Sequence, residues 1–206
     1  MNTLIPESLN EIVLVGPVGP DIIHPFSVLP QIAVDGGETF AHAPFLWVGD
    51  GDSLGKNPQT EQTYRLNPQK EMSDLAYTFS LLKKHPLKKL HLWGFLGNRR
   101  DHELFNFGES SLFLETREQT EIHYYHEDIH PIFQFYTKGS WIFDFNGAFS
   151  LASLAGAVVK MQGDITYPIP HPKKLSPLSS FGLSNSSQGR FLVEADAPFF
   201  IIRENK

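Results

Sequence analysis

Phe45-Leu46-Trp47-Val48-Gly49-Asp50-Gly51-Asp52-Ser53 is the stretch on which the reading of this chain turns. An apolar run of this length ending in glycine is the pattern of a short buried strand, and the glycines permit an abrupt exit from it. In extended backbone, residues i and i+2 face the same side, so Asp50 and Asp52 are brought together. Two like charges on one side repel unless a cation lies between them. From this stretch alone two readings stand open. One is a divalent-metal loop; the other is a polar turn after a core strand, for which Gly and Asp are ordinary residues.

The surrounding sequence repeats the theme. Glu11 to Val15 reads as a strand and stops at Gly16-Pro17-Val18-Gly19-Pro20, which is a turn and not a dinucleotide fingerprint. A weakly helical segment follows from Asp21 to Leu29, and Gln31 to Val34 is a second strand that runs into Asp35-Gly36-Gly37. Thr63 to Leu66 reads as a strand beyond the opening stretch. Ser73 then sits as N-cap with Asp74 in the first turn of a helix whose Leu75, Thr78, Phe79 and Leu82 share a face. Lys89 to Trp93 is the next strand. A second helix is expected from Asp101 to Glu115, with Leu104, Phe105, Gly108 and Leu112 inward, and Glu121 to Tyr125 is a further strand.

Strands alternating with helices make residues 1–127 an α/β domain with a mainly parallel sheet. Ligands bind at the carboxyl ends of such strands. Asp35, Asp50, Asp52, Asp74, Arg99 and Asp101 all fall just after expected strands or at helix starts. That coincidence favours the metal loop over the turn. From residue 128 to residue 206 the helical pattern stops. Short, partly alternating strands predict an all-β sandwich domain, with Lys138-Gly139-Ser140 and Asn146-Gly147 as hairpin turns. One long Pro- and Ser-rich connection is expected from Pro168 to Gly189.

Composition removes several classes of function. The 206 residues carry no cysteine, which excludes disulfides, thiolate catalysis and cysteine zinc sites. A formal charge of −6 argues against nucleic-acid binding through phosphate neutralisation. The N-terminal residues show no signal-peptide pattern, and no apolar run is long enough to span a membrane, so a cytoplasmic, soluble protein is expected. His91, His123, His126 and His130 have no recognisable metal-ligand spacing, and His102 reads as a packed histidine.

The order of motifs resembles the thiamine pyrophosphokinase family along nearly the whole chain. Asp35-Gly36-Gly37 is similar to the family's early Asp-Gly-Gly turn, and Gly49-Asp50-Gly51-Asp52-Ser53 to its Gly-Asp-x-Asp-Ser loop. Lys70-Glu71-Met72-Ser73-Asp74 resembles its Lys-Asp-x-Thr-Asp helix start. Gly97 to His102 followed by Asn106 resembles Gly-Gly-Arg-x-Asp-His-x-x-x-Asn. Phe149-Ser150-Leu151, Tyr167-Pro168 and Ser184-Asn185 then follow in the order of the family's thiamine-binding β domain.

The resemblance implies transfer of a pyrophosphoryl group from ATP to the thiamine hydroxyl, giving thiamine diphosphate and AMP. It also implies Mg²⁺ and a homodimer whose site is shared between subunits. By the same resemblance, Asp50, Asp52 and Asp74 are metal and catalytic carboxylates, and Asp101 is a metal-linked acid or orients the thiamine hydroxyl. Asp35, Lys70, Arg99 and Asn106 would serve ATP and its phosphates, and Tyr167, Ser184 and Asn185 would bind thiamine. A structural Arg99–Asp101 salt bridge and a purely helix-capping Asp74 are the competing readings.

The chain departs from the family pattern in places. Gly51 stands where a bulky apolar residue is usual, Ser73 for Thr, Asn98 for Gly, Phe181 for a common Arg, and Ser186 for a frequent Glu. The acids of the α/β domain are kept, while the β-domain loop departs more. The departures keep open a related pyrophosphokinase with a pterin-like hydroxymethyl acceptor, or a catalytically weak thiamine- or nucleotide-binding relative.

Overall fold

The computed structural model describes residues 5–6, 8–19, 26–51, 60, 62–97 and 99–203. Asp52, Asn98 and most of the weak helix expected from Asp21 lie outside them. The chain forms two compact units, Met1–Glu109 with Ile122–Pro131, and Ser110–Glu121 with Ile132–Lys206.

The first unit contains β1 (Glu11–Val15), β2 (Gln31–Val34), β3 (Leu46–Gly49), β4 (Thr63–Arg65), α1 (Asp74–Leu82), β5 (Lys89–Trp93), the start of α2 (Arg100–Glu115) and β6 (Glu121–Tyr125). Its strand order is β6-β5-β1-β2-β3-β4, and the ladders from β5 to β4 are parallel. Ile12 to Val15, Ile32 to Val34 and Leu46 to Val48 are buried without alternation, as strands covered on both faces must be. Helix α1 starts where expected. Ser73 Oγ accepts from the Ala76 amide at 3.1 Å, and Leu75, Thr78, Phe79 and Leu82 are buried.

The chain leaves β1 toward β2, β3 and β4 on one side. It returns after α1 to set β5 on the other side of β1. The carboxyl ends of β1 and β5 are therefore the switch point at which open α/β sheets form their crevice. Gly16 and Gly94 meet there. A Cβ on Gly16 would lie 2.5 Å from the Gly94 carbonyl oxygen, and one on Gly94 2.6 Å from that of Gly16. Neither position admits a side chain, which keeps the two strand exits in contact.

The second unit contains β7 (Phe133–Tyr136), β8 (Gly139–Ala152), β9 (Ala157–Ile165), β10 (Ile169–Leu175), β11 (Asn185–Ala195) and β12 (Phe199–Arg203). The order is β10-β9-β11-β8-β12-β7, with antiparallel ladders throughout. Phe143, Phe149, Phe191, Val193, Met161 and Ile201 belong to a core formed from strand residues. The ladder is continuous from β10 to β7, so the strands expected to split into a sandwich belong to one antiparallel sheet.

Four local expectations are corrected. Asn146-Gly147 is not a turn: β8 runs straight through it, with Asn146 opposite Gln188 and Gly147 opposite Ser187. Lys138 to Ser140 joins β7 to β8 without making a hairpin, because β12 lies between those strands. The connection from Pro168 to Gly189 contains β10, a 3-10 turn at Ser180–Gly182 and the start of β11. β10 is an edge strand buried only at Ile169 and Leu175, so its prolines and lysines read as loop. Finally, α2 turns the opposite way round. Leu104, Phe105 and Leu112 are exposed, and Ser110, Ser111, Phe113 and Leu114 are buried. Phe107, Ser110 and Leu114 recur at the same helical spacing as the rejected set, and periodicity cannot choose between two such faces. No helix among the described residues is long and apolar enough to cross a membrane.

Candidate active site

Three strand exits deliver three carboxylates to one place. Asp35 follows β2 directly with a left-handed φ of 55°. Its carbonyl accepts from the Trp47 indole at 2.8 Å, which ties the β2 exit to β3. Asp50 follows β3 after Gly49, where a Cβ would press within 2.7 Å of the Trp47 ring and 3.1 Å of Asp35 Cα. Asp74 opens α1 behind its serine cap. Each offers a carboxylate oxygen, and these oxygens lie within 4.8 Å of one another.

Lys70 reaches into this group from the turn before α1. Its amide donates to the Asn67 carbonyl at 3.0 Å, and Asn67 Oδ1 accepts from the Gln69 amide at 2.9 Å. Lys70 Nζ then stands 2.8 Å from Asp50 Oδ2 and 3.0 Å from Asp74 Oδ1. The first contact is a hydrogen bond. The second has ion-pair distance without hydrogen-bond alignment, and Asp74 Oδ1 is buried without a hydrogen-bond partner. Burial pushes the Asp74 carboxyl above its ordinary range; Lys70 opposes the shift, while Asp35 and Asp50 add to it. Burial works against the Lys70 charge too, yet its bonds to Asp50 and Asp74 prevail and hold its pKa up. Three carboxylates and one ammonium leave the group two negative charges in excess when all are ionised.

Hard oxygen donors, an excess of negative charge and a buried carboxylate oxygen lacking a hydrogen bond are what a small divalent cation requires. Metal–oxygen bonds of about 2.1 Å place octahedral ligand oxygens roughly 3–4 Å apart. A slight inward closure of the three carboxylates meets that spacing. The residues present therefore fit Mg²⁺.

A cleft of about 480 Å³ opens beside the acids. Asp35, Lys70 and Asp74 form one wall; Arg99, His102, Glu103 and Asn106 form another; Pro17, Val18, Gly94 and Phe95 bring the switch point into it. Asn106 is steadied through its carbonyl, which accepts from the Tyr124 hydroxyl at 2.8 Å. Glu103 accepts from the Gly97 amide at 2.6 Å and fixes the loop ahead of α2. Asp101 lies at the exposed start of α2 rather than among the cleft-lining residues. Its carboxylate takes both arms of the Arg99 fork, at 3.2 and 2.5 Å. The Arg99 guanidinium holds the Asp101 carboxyl below its usual range.

Sequence reasoning missed several of these groups. Pro17, Val18 and Gly94 were readable only as turn residues. Glu38, whose carboxyl is pushed up by burial and the neighbouring Asp35, gave no spacing signal. Arg65 is another. Its Nε donates to the Asp50 carbonyl at 3.4 Å, and its guanidinium lies 2.7 Å from where a Cβ on Gly51 would be. The unusual glycine at 51 is thus the partner of an arginine that lies over it.

The second unit has its own cleft of about 380 Å³, with Met161, Tyr167, Phe181, Leu183 and Asn185 in its walls. Tyr167 is 65% exposed and Leu183 61%. Asn185 is buried, and its amide works as a staple. Oδ1 accepts from the Tyr167 and Ser186 amides at 3.0 and 2.8 Å, and Nδ2 donates to the Tyr167 carbonyl at 2.9 Å. Ser184 takes a left-handed φ of 59°, with its amide donating to Ser150 Oγ at 3.1 Å. Lys173 Nζ lies 3.9 Å over the Phe181 ring.

No protein-family model and no curated protein matches the sequence. Solved structures do. The chain is similar to thiamine pyrophosphokinase from Bacillus subtilis, with a TM-score of 0.74 at 18% identity over 96% of this chain and 100% of the other. The enzyme from Geobacillus thermodenitrificans gives 0.71 at 18%, covering 95% and 98%. The one from Candida albicans gives 0.70 at 13%, covering 96% of each chain. TM-scores of 0.70 to 0.74 establish a shared fold over nearly the whole chain, and identities of 13 to 18% limit the likeness to the fold.

Proposed function

We propose that this chain is a Mg²⁺-dependent thiamine pyrophosphokinase, moving a pyrophosphoryl group from ATP to the thiamine hydroxyl and releasing AMP. The observation that carries the reading is the convergence of Asp35, Asp50 and Asp74 on Lys70 beside a switch-point cleft. The fold shared with thiamine pyrophosphokinases supports it.

Asp35, Asp50 and Asp74 would hold the ion, with Asp52 added by resemblance. The bound ion would neutralise charge on the polyphosphate as the bond to AMP breaks. The chain's own part is positioning. The close approach of Gly16 and Gly94 holds the two strand exits together where Gly94 lines the cleft. Lys70 and Arg99 offer cations to phosphate oxygens, Arg99 through the N–H groups that its pairing with Asp101 does not use. Asn106 adds an amide in the same cleft. The thiamine hydroxyl oxygen attacks the β-phosphorus, the bond from that phosphorus to the α-phosphate bridging oxygen breaks, and the hydroxyl proton leaves to solvent or a carboxylate.

The cleft of the second unit is the proposed acceptor pocket. Tyr167 presents an exposed ring face, attractive to a cationic heterocycle, and Asn185 fixes the backbone that carries it. Ser184 completes the proposed set. A homodimer with a shared site belongs to the same proposal.

Release of AMP from ATP and MgCl₂ tests the reading. Dependence of AMP on thiamine is the expected result. AMP formed only with a hydroxymethylpterin redirects the acceptor, and binding of ATP or thiamine without AMP identifies a non-catalytic relative.

A further inference from the structure

We infer that Lys70 is the resident counter-cation of the Asp50–Asp74 pair, and that an entering divalent ion displaces its ammonium toward the polyphosphate. The inference rests on the proposed metal site and concerns how that site is loaded.

Lys70 Nζ stands against the oxygens the ion needs, hydrogen-bonded to one and ion-paired with the other. It lies 2.8 Å from Asp50 Oδ2 and 3.0 Å from Asp74 Oδ1. An ion bonded to both oxygens at about 2.1 Å would occupy nearly the same point as the ammonium. Two cations cannot share it, because their repulsion in a partly desolvated site is severe. The geometry also says which group yields. The Lys70 backbone is pinned by the Asn67 turn. Its ammonium, in contrast, rides on a four-carbon stem with freely rotating bonds and can swing without moving the chain. Lys70 lines the cleft, so the swing has a destination among the phosphates.

The arrangement has a physical purpose. Without metal, the half-buried carboxylates converge, and Lys70 supplies the charge that offsets their repulsion. With metal and nucleotide present, the same ammonium is released where negative charge has arrived. Metal and nucleotide should therefore bind with positive cooperativity, since phosphate compensates the displaced lysine.

The test is a titration with Mn²⁺ alone, read by the electron paramagnetic resonance signal of free ion, on wild type, Lys70→Gln and Asp74→Asn. Lys70→Gln should bind Mn²⁺ on the order of tenfold tighter than wild type without nucleotide, the competing ion pair being gone. Adding α,β-methylene ATP should erase that advantage. Binding by Lys70→Gln that is equal to or weaker than wild type, with Asp74→Asn still abolishing it, would overturn the Lys70 inference and leave the metal site standing. Absence of Mn²⁺ binding in wild type and Lys70→Gln alike would overturn both. A second measurement needs no variant. Acylation of Lys70 in wild type, quantified by mass spectrometry, should rise several-fold when Mn²⁺ is added and fall again with the nucleotide analogue. Unchanged labelling contradicts displacement.

Discussion

Asp74→Asn should separate stability from chemistry at this site. Asp74 is half-buried beside Asp35 and Asp50, and Lys70 is shared between it and Asp50. Burial raises its pKa despite that lysine, so the ionised carboxylate is disfavoured in the folded chain relative to the unfolded one. An acid raised in this way binds protons more tightly when folded. Its penalty is present at neutral pH and relieved as pH falls through the raised value. Asparagine keeps the shape and removes the charge. The opposing loss is the acid's favourable position at the α1 N-terminus, worth about 0.3–1 kcal/mol, and its ion pair with Lys70. Because the raised pKa already includes that lysine, the net change at pH 7 and zero metal is a small gain in stability. For a chain of this size 1 kcal/mol is about 2–4 °C in Tm. Magnesium should reverse the ranking. At a hundredfold excess over Kd, a ligand stabilises by about 2.7 kcal/mol, or roughly 5–10 °C, and Asp74→Asn should forfeit most of that. Circular-dichroism melts with and without MgCl₂ at matched ionic strength read both changes. A variant less stable without metal, or one with an undiminished magnesium response, refutes the reasoning.

Other expectations follow from the same contacts. Gly51→Val should cost about 1–3 kcal/mol, because a β-branched residue must adopt a φ of 85° and push Arg65 aside; the melting temperature checks it. Asn185→Ala should cost about 2–3 kcal/mol, since it strips partners from the Tyr167 amide and carbonyl and from the Ser186 amide, whereas an alanine at Ser184 should leave urea unfolding nearly unchanged. His91, hydrogen-bonded to Tyr125 and Glu11, is pushed down to about 4 by burial, with Lys89 and His123 acting in the same direction. A depressed histidine contributes stability above its unfolded pKa of about 6.5, and that contribution is lost as pH falls toward 4. On the order of 3 kcal/mol should disappear across that window, and His91→Gln should flatten the slope of stability against pH.

Much of this could be read from the chain because it is local. Ile12 to Val15 and Leu46 to Val48 are continuous apolar runs, which only a sheet covered on both faces accommodates, and their polar exits must lie at one edge. Ser73 and Asp74 announce a helix start within a few residues. The failures share a cause: they depend on tertiary approach. Leu104 and Leu114 compete for the inside of α2, and only packing decides. Asn146-Gly147 has the composition of a turn, but pairing with β11 holds it extended. The meeting of Gly16 with Gly94, of Arg65 with Gly51, and of Lys70 with two carboxylates joins residues from separate elements, and no spacing encodes it. Nothing in Ser184-Asn185 signals that the Asn185 amide staples the backbone of Tyr167.

The central claim is that this site moves two phosphates together from ATP to an alcohol. Incubating the protein with thiamine, MgCl₂ and ATP labelled at the β-phosphorus tests it most directly. The label should appear in thiamine diphosphate, with AMP in equal amount and no ADP. Label remaining in ADP, or leaving ATP without entering thiamine, would contradict it.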